Sequence, residues 1–188
     1  MASLLRGARR AAGLTQRALA GVTHEHQPAI AAIESGKRGV TYEHLERLLA
    51  PTGHRLQIIK TTARSAHEVA NNIFDQLQAK REDHAFREII QLSDDLKRAS
   101  RVELVCLTAT EPPGTGDSRY DALIAGICDL YVTRSRVPRA EWISKTQALP
   151  NAWFVDDVPE FHGMALRTTP KQLAKRNVFL AASELESV

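Results

Sequence analysis

The stretch LTQRALAGVTHEHQPAIAAIESGKR, residues 14–38, decides the fold of the N-terminal third. Thr15 is a good N-cap, and Leu19, Ala20 and Val22 follow it at the spacing of a short helix. Ile30 and Ile33 form the buried stripe of a second helix, which stops at Ser35-Gly36. Working outward, Leu4, Leu5, Ala8, Ala11 and Ala12 recur at helical spacing, and Gly13 can end that helix in a left-handed conformation. A further helix starts after Thr41, carries Leu45, Leu48 and Leu49 on one side, and ends before Pro51 and Gly53. Beyond it, Arg55-Leu56-Gln57-Ile58 alternates like a short strand.

The two helices of residues 14–38 are separated by a few residues, which is the helix-turn-helix arrangement. The segments Ala8 to Ala20 and Gln27 to Arg38 resemble the XRE family, the DNA-binding domains of Cro and phage-repressor type, over roughly residues 3 to 60. The resemblance implies DNA contacts from Thr15, Gln16 and Arg17 at the start of the second helix, from His26, Gln27 and Ala31 on the recognition helix, and from Lys37 and Arg38 just past its end. Gln16 would hold a phosphate with its side chain and backbone N–H. Gln27 is the best base reader, because a glutamine can pair bidentately with adenine. Pro28, Ala31 and Ala32 share its outward face and offer only apolar contact to thymine methyls.

The same resemblance places Arg9 and Glu34 at positions that form a buried ion pair in some relatives. Just before the recognition helix, relatives usually read Gly-Val-Ser and this chain reads His24-Glu25-His26. That departure predicts a displaced or less stable turn, since it removes a turn glycine, an apolar packing residue and a good cap. The triplet lacks the i, i+4 spacing of a zinc site, so two exposed turn histidines are expected rather than a metal. Protonated, they would face phosphates.

Charge supports a division of labour. The 188 residues carry a net +3, but residues 1 to 60 hold nine Lys/Arg and four Asp/Glu, while the rest hold sixteen and eighteen. The basic excess therefore sits in the N-terminal third, where a polyanion would bind. No apolar run approaches the length of a membrane span, and the opening Met1-Ala-Ser-Leu-Leu-Arg6 has too short an apolar core for a signal peptide, so a cytoplasmic protein that does not engage membranes is expected. Cys106 and Cys128 cannot build a disulfide framework and are read as small core side chains.

After residue 65 the pattern changes. Residues 66–80 and 83–99 read as two charged amphipathic helices. Residues 101–110 are ambiguous between strand and helix, and Glu111-Pro-Pro-Gly-Thr-Gly-Asp117 is a turn whose Gly-Thr-Gly lacks the Gly-Lys-Ser/Thr of a phosphate loop. A helix over 118–134 shows Tyr120, Leu123, Ile124, Ile127, Cys128 and Tyr131 along one stripe. Trp142, Trp153-Phe154-Val155, Phe161 and Val178-Phe179-Leu180 read as core with some capacity to anchor an interface. Thr169-Pro170 would cap a short helix reaching Arg176. The expected architecture is thus mainly α: a five-helix-type helix-turn-helix domain at 1–62, then a mostly helical domain at 65–188 with a few short strands.

No catalytic constellation stands out. Asp156-Asp157 with Glu160, and Asp94-Asp95, lack ligand spacing, so no enzyme activity, metal or cofactor is expected. With its paired charged helices, the Pro112-Pro-Gly-Thr-Gly-Asp117 loop and the Arg176-Asn-Val-Phe-Leu180 end, the C-terminal region is similar to those of actinobacterial XRE-type proteins, several of which are read as antitoxins. That similarity implies a homodimer on an inverted repeat of double-stranded DNA in its own promoter, with the C-terminal domain covering a toxin, an RNase or a nucleotidyltransferase. The alternative is a stand-alone regulator whose C-terminal domain dimerises or senses a small molecule.

Overall fold

The computed structural model describes residues 2–185 and divides into two compact units, residues 1–59 and residues 60–188. The first unit holds α1 (Ala2–Ala11), α2 (Gln16–Thr23), α3 (Gln27–Glu34) and α4 (Tyr42–Leu49), followed by a single 3-10 turn at Ala50–Thr52. As expected, α4 ends before Pro51 and Gly53, where the proline and a left-handed glycine (φ +77°) stop propagation. Leu5, Leu19, Ile30, Ile33, Leu45 and Leu48 close the core. Val22, expected on the buried side of α2, is exposed. The strand expected at 55–58 is absent: those residues pair with nothing in a ladder, only Leu56 packs on the core, and Ile58 is 88% exposed. Alternation specifies a strand only where a partner edge exists, and every neighbour in this unit is helical.

The second unit contains α5 (Ala66–Gln78), α6 (Glu82–Arg98), α7 (Arg101–Ala109), α8 (Ser118–Arg134), α9 (Glu141–Lys145), α10 (Pro159–Thr168) and α11 (Lys171–Ala174). Strands β1 (Trp153–Phe154) and β2 (Val178–Phe179) pair in parallel, Trp153 opposite Val178 and Phe154 opposite Phe179. The ambiguity at 101–110 resolves to helix because Ser100 and Glu103 form a capping box: Ser100 Oγ accepts from Glu103 N–H at 3.3 Å and Glu103 Oε2 accepts from Ser100 N–H at 2.9 Å. Ser65 and Glu68 open α5 in the same way.

Helix α8 is the axis of this unit. It is buried on all sides from Ala122 to Val132, not along one stripe, with α5, α6, α7, α9, α11 and β2 packed around it. Asp129 lies inside this apolar surround and is compensated twice, by Arg176 Nη1 at 3.0 Å and Arg139 Nη2 at 2.8 Å. Arg176 also donates to the carbonyls of Ile143 at 2.6 Å and Gln172 at 2.7 Å, tying α8, α9 and α11 together.

Three side chains depart from expectation. Cys106 is exposed on α7, whereas Cys128 is fully buried and its thiol is pushed up by burial. Phe161 is exposed on α10. Thr169 does not cap a helix: α11 begins at Lys171, and Thr169 Oγ1 instead accepts from Leu180 N–H at 3.0 Å and donates back to Ala165 O at 2.6 Å. Trp142 is buried as expected, its Nε1–H donating to Thr108 O at 2.8 Å.

Removing Arg176 would leave the buried Asp129 with the half-exposed Arg139 alone and take their Arg176 donor from the carbonyls of Ile143 and Gln172. Arg176→Ala should therefore lower the stability of the second unit by about 3 kcal/mol, and Arg176→Lys should recover little because an ammonium cannot make the same fork of donors. Chemical denaturation of the three proteins checks this, and an alanine variant of native stability would contradict it.

Candidate nucleic-acid interface

Thr15 caps α2, its Oγ1 accepting from Ala18 N–H at 3.0 Å. The helix ends at His24, which takes the left-handed conformation (φ +56°) that a turn glycine would adopt, and Glu25 N–H closes the end on Ala20 O at 2.9 Å. The turn is therefore formed despite the histidine. His26 occupies the N-cap of α3 in extended geometry but makes no side-chain cap bond, so the contribution of a serine there is missing. Pro28 in the first turn removes one amide that would otherwise lack a partner. Glu25 stands where an apolar residue was expected to pack, and its Oε1 lies 2.8 Å from His44 Nε2 on α4. A close contact between these two side chains thus links the turn to α4. The sequence signals were a carboxylate at an apolar position and a histidine beside Leu45 on α4.

Beneath the surface, Arg9 and Glu34 form a bidentate pair, Nε to Oε1 at 2.6 Å and Nη2 to Oε2 at 2.9 Å, with Glu34 only 2% exposed. The hydrogen bonds from Arg9 hold the Glu34 carboxyl below the usual glutamate range, against the opposing effect of burial. Arg9 Nη1 also donates to Leu14 O at 2.7 Å. Gln16 Nε2 donates to Glu34 Oε2 at 2.9 Å, and Gln16 Oε1 accepts from Gln27 Nε2 at 2.9 Å. A continuous chain of polar contacts runs from the buried pair to the exposed first residue of α3. The phosphate role expected of Gln16 does not include this bridging, since amide-to-amide bonding has no spacing signature in a sequence.

Thr15, Gln16, Arg17 and Gln27 line one open concavity together with Arg9. His26 is exposed beside Gln27, and Ala31 is half-buried one turn further along α3. Lys37 and Arg38 lie outside the concavity, exposed just past the end of α3, where Arg38 N–H caps Ala32 O at 3.1 Å. Among the described residues no group of three or more His, Cys, Asp or Glu is placed to hold a metal ion, and no helix is long and apolar enough to cross a membrane.

The pair of short helices, the tight turn between them and the exposed leading edge of the second define a helix-turn-helix. Residues 1–54 match the family model of a helix-turn-helix domain, and the N-terminal unit is one of the XRE-like type. No curated protein and no solved structure matches the chain.

The carboxyl of Glu34 sits lower when folded than unfolded, so its stabilising effect is present above the unfolded glutamate range and is lost as pH falls through the folded value. Hydrogen exchange of the amides of α1 to α3 should show that loss on acidification, and Glu34→Gln should be less stable at neutral pH by about 3 kcal/mol and flatter in acid. Equal protection in both proteins at neutral pH would contradict the role given to the pair.

Proposed function

We propose that this chain is a DNA-binding transcriptional repressor that lays α3 into the major groove of a duplex. The observation that carries the reading is the Gln16–Gln27 bond anchored on Glu34, which fixes an exposed base-reading amide at the start of α3. Arg17, Lys37 and Arg38 surround that edge with positive charge suited to phosphates. With Pro28 and three alanines on the rest of α3, direct readout is sparse, so shape and deformability of the duplex share the work. A homodimer on an inverted repeat in its own promoter, acting in the cytoplasm and without catalysis or cofactor, completes the proposal.

In the finer reading the protein is an antitoxin, its second unit covering a small RNase or nucleotidyltransferase encoded beside it. What supports this is α10, where Phe161 and Met164, three residues apart on one face, are exposed with the preceding Val158, apolar side chains of the kind protein partners cover. Affinity purification of the native complex should yield a stoichiometric second protein that is toxic when expressed alone. A homodimer without a partner would favour a second reading, a stand-alone ligand-sensing regulator, for which a cavity in the second unit speaks.

On the specific duplex Gln27→Ala should cost about 1–3 kcal/mol of binding and little on random DNA, measured by fluorescence anisotropy. An equal loss on both would remove Gln27 from the reading set. Replacing Lys37 and Arg38 by alanine should weaken both duplexes and reduce the salt slope by about 0.9 for each phosphate no longer neutralised. An unchanged slope would show that neither touches phosphate.

A further inference from the structure

The second unit carries a cavity of about 540 Å³ that DNA binding does not use. Its wall is aromatic: the rings of Tyr120 and Trp153 meet with centroids 5.8 Å apart and planes tilted by 53°, and Phe86 closes one side. Its rim is acidic, with Glu82 and Asp83 from the first turn of α6, Asp156 and Asp157 after β1, and Glu184 from the 3-10 turn at Ala182–Leu185. Arg119 also lines it and is paired with Asp117, with Nη2 2.6 Å from Oδ2. Arg87 and Arg119 bring two positive charges against the five carboxyls, and the cavity stays negative.

The cavity already seats a cation of the chain itself. The guanidinium carbon of Arg119 lies 5.4 Å from the centroid of the Trp153 ring, within the range of a cation–π contact. Burial, and next the charge of Asp156, push the Glu184 carboxyl above its usual range. Burial, and next the charge of Glu82, do the same to the Tyr120 phenol. Apolar walls and a negative field therefore coincide at these two groups.

We propose that this cavity binds an organic cation, an amine or quaternary ammonium with an apolar body, which rests on Trp153 and Tyr120 while the rim carboxylates supply the counter-charge. The volume suits a small ligand. The sign of the rim excludes anions, and the aromatic walls favour an organic cation over a hydrated metal ion. An organic cation is thereby the ligand class of the ligand-sensing reading. Its binding is independent of DNA, so failure to bind it leaves the duplex measurements untouched.

The test titrates the full chain with benzyltrimethylammonium, and separately with benzyl alcohol as a neutral counterpart, following the indole N–H signals of the two tryptophans by NMR. Trp153→Phe assigns them. The cation should move the Trp153 signal saturably and leave Trp142 in place, binding at least about tenfold more tightly than the alcohol. Asp83→Asn combined with Asp157→Asn, exposed and isosteric changes on the rim, should weaken the cation several-fold while the Trp142 signal reports an intact fold. Equal binding of cation and alcohol, undiminished affinity in the double variant, or no shift of Trp153 up to about 10 mM cation would overturn the proposal.

Discussion

The buried contact between Arg9 and Glu34 is the constraint on which the N-terminal unit depends. A carboxylate taken out of water needs a counter-charge and filled hydrogen-bonding positions, and here each demand recruits a different element. Arg9 comes from α1 and also grips the carbonyl of Leu14 ahead of α2. Arg6, one turn earlier, reaches the backbone carbonyl of Glu34 at 2.5 Å, and Gln16 on α2 donates a further hydrogen bond to the carboxylate. The direction of Gln27 follows from Gln16, so a surface amide inherits its position from a buried charge two contacts away. That inheritance is what the base-reading role proposed for Gln27 requires, because an unsupported glutamine would spread over several rotamers and present no fixed pattern of donor and acceptor.

The second unit solves a different problem with the same means. Its central helix is surrounded by other elements, and a carboxylate buried on that helix, Asp129, draws arginines from the loop before α9 and from the chain just after α11. The chain then returns past α10 to set β2 beside β1, which places Trp153 against Tyr120. The aromatic corner of the cavity is thus a product of the strand pairing and of the start of α8. The acids on its rim come from the start of α6 and from turns, where carboxylates serve helix ends and loops at little cost.

The helices were legible in the sequence wherever caps and apolar spacing agreed. Thr15, Thr41 and the stripe of Leu45, Leu48 and Leu49 place α2 and α4, and the stripe of α8 is visible as far as one face goes. The Arg9–Glu34 contact was legible only through resemblance, since nothing in the spacing of 25 residues makes two side chains meet. Local patterns failed where tertiary context decided. Residues 55–58 alternate without a partner strand, the Thr169 hydroxyl joins the end of α10 to Leu180 instead of capping α11, and Phe161 stays exposed although aromatic. The His24-Glu25-His26 turn shows the same lesson in reverse, because a left-handed histidine and a contact between Glu25 and His44 replace what glycine and an apolar side chain would supply.

The proposed entry of α3 into the major groove is open to direct measurement. The most direct measurement selects duplexes from random DNA with the full chain and maps guanine N7 methylation interference on those recovered, since N7 faces only the major groove. Entry of α3 predicts enrichment of an inverted repeat with interference in two half-sites about 10 base pairs apart, centre to centre. A failure to enrich any sequence, or binding indifferent to N7 methylation, would contradict it.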